Sequence, residues 1–86
     1  MPYIHPDQRE SLDPLLRPLF RIPLTPGQLN YVITRIINAY WLRCADYQAI
    51  DEITGVLETA KFEFLRRVAS SYEDMKKEKN GDVYGS

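Results

Sequence analysis

The sequence predicts an all-α protein: a helical hairpin of one medium and one long helix, with a proline-rich N-terminal arm of short helical turns. Three observations predict it. Apolar residues recur at three- and four-residue spacing through two long segments. Each segment follows a residue suited to cap a helix, Thr25 or Asp46. Five of the six prolines precede Thr25, where they break up the chain. At 86 residues the chain is one domain, spanning 1–86. A domain of this size has a small core, and oligomerisation is a common remedy.

The arm, residues 1–25, carries Pro2, Pro6, Pro14, Pro18 and Pro23. Proline lacks a donor and clashes inside a helix, so no long helix is expected here. A turn after Pro6 and another after the Asp13–Pro14 cap fit the pattern. Leu12, Leu15, Leu16, Leu19, Phe20 and Ile22 can then dock on a core.

The medium helix, 26–43, is the best punctuated. Thr25 caps, Pro26 takes the first helical position, and Gln28 completes a capping box. Leu29, Val32, Ile33, Ile36, Ile37 and Tyr40 form its expected buried stripe. Cys44 and Ala45 form a short connection. The long helix, 46–76, begins at the Asp46 cap and carries Tyr47, Ile50, Ile53, Leu57, Ala60, Phe64 and Val68 on one face. It would be about 45 Å long against about 27 Å for its neighbour, so part of it needs the arm or a second chain as cover. Gly55 inside it costs about 1 kcal/mol relative to alanine, which close approach of a neighbouring helix would offset; the alternative is a glycine that is simply tolerated. Asn80–Gly81 reads as a helix stop or a tight turn, and 77–86 form a charged, turn-like tail.

A net charge of -1 gives no bulk pull toward DNA or membranes, and no extended nucleic-acid binding is expected. The single cysteine excludes an internal disulfide or a cysteine zinc cluster and fits a reducing, cytoplasmic setting. The first residues lack the pattern of a signal peptide, and no apolar run approaches the ~20 residues that span a membrane. No catalytic constellation is present. His5 and Cys44 are distant in sequence, with Cys44 expected as a small buried hydrophobe. Glu52, Glu58 and Glu63 do not share a helical face and lack a Glu-x-x-His partner, so no metal and no cofactor are expected. Glu63 with Arg67, and Glu58 with Lys61, read as ion pairs at helical spacing.

What stands out is the outer face of the medium helix: Asn30, Tyr31, Thr34, Arg35 and Asn38. These are hydrogen-bonding groups with one aromatic and one cation, not the Glu/Lys mixture of a solvated face. With Lys61, Arg66 and Arg67 on the long helix they suit phosphates and bases. They would converge if duplicated across a dimer axis. Alternatively the arginines pair with Asp51, Glu58 or a neighbouring chain's acids. Trp41, Tyr72 and Tyr84 are candidate interface positions, since aromatic residues with polar handles are enriched there, and Gly55 is a fourth, where a neighbouring helix could approach closely.

The runs Met1-Pro2-Tyr3-Ile4, Gly27-Gln28-Leu29-Asn30-Tyr31-Val32-Ile33-Thr34-Arg35, Gly55-Val56-Leu57-Glu58, Phe62-Glu63-Phe64-Leu65-Arg66-Arg67-Val68 and Asn80-Gly81-Asp82-Val83-Tyr84 resemble a family of short proteins of unknown function associated with tailed phages and prophages. The resemblance implies a viral or prophage origin and the cytoplasm of a bacterial host, but no activity and no site residues. Together these readings give a non-enzymatic binding protein, a homo-oligomer that sequesters an anionic nucleotide-like signal of host defence at its interface. The alternative is a protein–protein adaptor or inhibitor that docks a host or phage protein through the same face.

Overall fold

A computed structural model describes residues 2–84. Among them there are helices and no strands. Helix α1 spans Pro6–Phe20, α2 spans Pro26–Cys44 and α3 spans Tyr47–Phe64. A π-helical turn, Leu65–Ala69, carries α3 without a break into α4, Ser70–Asn80.

The local signals for α2 and α3 act as the sequence requires. Thr25 Oγ1 accepts from the Gln28 amide at 3.2 Å, while the Thr25 amide donates to Gln28 Oε1 at 2.9 Å. This reciprocal box satisfies two backbone donors at the start of α2. Asp46 Oδ1 accepts from the Ala49 amide at 2.8 Å and starts α3. Between them the chain reverses through Ala45, which is left-handed at φ 43° and ψ 48°. Its amide donates to the Trp41 carbonyl at 2.8 Å. The long helical run reaches Asn80, four residues past the expected Lys76, and Gly81 ends it at φ 93°.

The arm departs from expectation. Instead of short helical turns, residues 6–20 form one helix that runs through Pro14 and Pro18. The reason lies in their spacing and exposure. Four residues apart, the two prolines share a face, and both are exposed. The missing donors leave the carbonyls of Glu10 and Pro14 without helical partners, but on a strip where water takes their place. His5 caps this helix, its Nδ1 accepting from the Asp7 amide at 3.2 Å.

The expected buried stripe does not become a closed core. Ala49, at 1% exposure, is the one buried residue among those described. Ile36 and Val56 keep 58% and 61% of their surface in water, and Leu15 and Phe20 of α1 keep 72% each. The radius of gyration is 17.1 Å, against about 12 Å for a compact domain of this length. The accessible surface is 7959 Å², about 2,700 Å² more than the roughly 5,300 Å² of a compact monomer of its mass. The helices α2 and α3 meet each other, whereas α1 packs against neither. No helix among the described residues is long and apolar enough to cross a membrane.

Candidate functional site

Ile37 and Ile53 mark the seam between α2 and α3, and each lines grooves on both sides of it. On one side Ile36, Tyr40, Glu52, Val56 and Leu57 complete an almost wholly apolar cleft. The Tyr40 hydroxyl donates to Glu52 Oε2 and ties the helices together at its edge. That bond to the Glu52 carboxylate pushes the Tyr40 phenol above its ordinary value of 10.0.

On the other side Thr34, Asn38, Trp41, Ile50 and Thr54 complete a second groove. Here three small polar side chains border the half-buried Trp41 indole. A third groove toward the start of α2 is lined by Pro26, Leu29, Asn30, Ile33, Thr34, Ile37 and Leu57. Thr34 Oγ1 donates to Asn30 Oδ1 at 3.0 Å, so these two side chains brace each other one turn apart.

The structure thus brings Thr34, Asn38 and Trp41 to one groove and joins Asn30 to Thr34. Tyr31 and Arg35 are exposed and one helical turn apart, outside these grooves. Among the described residues Arg35 is in no ion pair. Among the described residues no hydrogen bond or ion pair joins the long-helix cations to this face. Arg66 forms a forked contact with Glu63, Nε to Oε1 at 3.2 Å and Nη2 to Oε2 at 3.1 Å. Glu63 therefore pairs with Arg66 rather than with the expected Arg67. Lys61 and Arg67 are exposed.

Glu63 is also reached from the far end of the chain. The Tyr3 hydroxyl donates to its Oε2 at 2.6 Å. The Arg66 fork, and secondarily this hydroxyl, hold the Glu63 carboxyl below its ordinary 4.5, while Glu63 pushes Arg66 further up. Sequence reading had no signal for Tyr3–Glu63 or Tyr40–Glu52, since neither contact follows from helical spacing.

The interface candidates have mixed surroundings. Gly55 faces open space: no atom lies within 4 Å of where a Cβ would stand. Within one chain it does not serve the close helix approach expected of it. The Tyr72 ring lies beneath Lys76 Nζ, 5.6 Å from its centroid. Tyr84 is 97% exposed, and its amide donates to Asp82 Oδ1 at 2.9 Å. Cys44, expected as a buried hydrophobe, is exposed, because α2 ends there before α3 begins to cover it. Among the described residues no three His, Cys, Asp or Glu side chains gather to hold a metal ion.

Comparison with known families places the chain. A profile described as a domain of unknown function, DUF6899, matches residues 1–83, and the chain belongs to that family. No curated protein and no solved structure matches it.

Proposed function

We propose that this DUF6899 chain is a non-enzymatic binding protein, an adaptor that docks a protein partner in the Trp41 groove of an α2–α3 hairpin. The observation that carries this reading is the composition of that groove: an indole and three isoleucines bordered by Thr34, Asn38 and Thr54. An apolar centre with an aromatic anchor and a polar rim is the anatomy of a protein interface. It lacks the charged side chains that would fix a phosphate. The phage setting implied by the resemblance makes a protein of the bacterial host the partner class to test. Trp41 is the single tryptophan, so its emission reports directly on the groove. Partners captured from bacterial lysate should shift that emission when purified and added back. Their binding should fall at least tenfold in Trp41→Ala while helicity is kept. Binding unchanged by Trp41→Ala overturns the reading.

A second reading is favoured by the exposed Tyr31–Arg35 pair, a stacking surface and a cation in no ion pair among the described residues. It is an anionic, nucleotide-like ligand held between chains, with Lys61 and Arg67 contributing. Calorimetric titration with cyclic nucleotides tests it. Heat lost in Arg35→Ala supports it, and no heat from the folded protein removes it.

A further inference from the structure

We infer that the chain pairs with a second copy of itself, the α1 helix of each copy entering the apolar cleft formed by Ile36, Tyr40, Val56 and Leu57 on the other. This inference concerns the side of the α2–α3 pair opposite the Trp41 groove and does not depend on what that groove binds.

Three observations lead to it. The first is area. The chain exposes about 2,700 Å² more than a compact monomer of its mass should. A standard interface removes about 800 Å² per partner, and obligate homodimers bury roughly 1,000–2,500 Å² per partner. The excess therefore lies at the upper end of what an obligate pair buries, enough surface for a second copy to cover. The second is complementarity. The same chain carries an exposed apolar ridge on α1, Leu12, Leu16 and Phe20 at four-residue spacing with Leu15 beside them, and an uncovered apolar cleft between α2 and α3. No residue of α1 lines that cleft or the Trp41 groove. Ridge and cleft on one chain are complementary between two chains, and reciprocal insertion closes at two copies. The third is charge. Eleven Lys and Arg against twelve Asp and Glu leave a net charge of -1. Two copies meet without strong repulsion, and nothing in the overall balance selects an oppositely charged partner.

Sedimentation and light scattering of the full chain should give twice its 10.1 kDa mass. The urea midpoint should rise with protein concentration, as linked association requires. A nitroxide on Cys44, which is exposed, should show one narrow distance distribution between the two labels. Leu15→Glu and Ile36→Glu, made separately, should each weaken the pairing at least tenfold. The wild-type mass and midpoint stand as a test even if a variant does not fold. A 10.1 kDa species with a concentration-independent midpoint overturns the inference, as does a dimer insensitive to both substitutions. A monomer whose Trp41 still responds to a partner sinks the pairing alone. A dimer whose Trp41 responds to none sinks the adaptor reading alone.

Discussion

Replacing Ala45 by glycine should stabilise the protein, although glycine usually does the reverse. Ala45 sits in the left-handed region at φ 43° and ψ 48°, between the end of α2 and the Asp46 cap of α3. There its Cβ crowds a carbonyl oxygen at a cost of about 1–2 kcal/mol that glycine does not incur. Glycine returns about 0.4–1 kcal/mol of this by loosening the unfolded chain. No packing is lost, since Ala45 is exposed, and the amide bond to Trp41 O at 2.8 Å is kept. The net gain is about 0.5–1 kcal/mol, a rise in Tm of roughly 2–8 °C for a chain of this size. Thermal and urea unfolding at one fixed protein concentration measure it. Ala45→Val is the control with the opposite sign, because a β-branched residue tolerates this region worst. If Ala45→Gly lowers Tm, or if valine is accepted without loss, the left-handed turn does not hold in solution and the geometry argued from it falls.

Other outcomes follow from the same contacts. Thr25→Ala removes the capping box of α2 and should cost about 1 kcal/mol in urea unfolding, with Gln28→Ala costing less. Gly55→Ala should raise stability by about 0.5–1 kcal/mol because nothing occupies the space its methyl would enter; a loss would place another chain there. Because the folded Glu63 carboxyl is held below 4.5, its contribution to stability is present above that value and is lost as pH falls through the lowered one. Carboxyl NMR titration should show the Glu63 midpoint moving up in Tyr3→Phe and further in Arg66→Ala. Tyr40 has the opposite sense: its raised value gives a contribution present below pH 10.0 that fades as the phenol ionises. Alkaline unfolding should therefore be less steep in Tyr40→Phe.

The helix bounds were legible where the chain signals them with its own atoms. Thr25, Pro26 and Gln28 located the start of α2, and Asp46 located the start of α3, because a cap is a local contact between residues three apart. Asn80–Gly81 offered a stop or a tight turn, and the apolar repeat, which fades earlier, hid the last four residues of α4. Pro14 and Pro18 misled, since the cost of a proline depends on whether water reaches the carbonyls it frees, which is a property of the fold. The polar strip of α2 was legible as a pattern, and Asn30 and Thr34 do touch. Its relation to Trp41, Ile50 and Thr54 was not, because helix-to-helix register is set by packing across the seam. Tyr3 and Glu63, sixty positions apart, carry no pattern that links them.

The π turn at Leu65–Ala69 has a consequence for how this protein varies over time. A helix that closes one turn with five-residue bonds holds one residue more than an α-helix of the same reach. That residue advances everything downstream by about 100° around the axis. Tyr72 and Lys76 therefore look in the direction they do because of a head count upstream. Loss of a single codon in the turn would restore ordinary winding and swing the whole of α4 to a new bearing, with every side chain in it unchanged. A lineage can thus re-aim its C-terminal helix in one step, by subtraction.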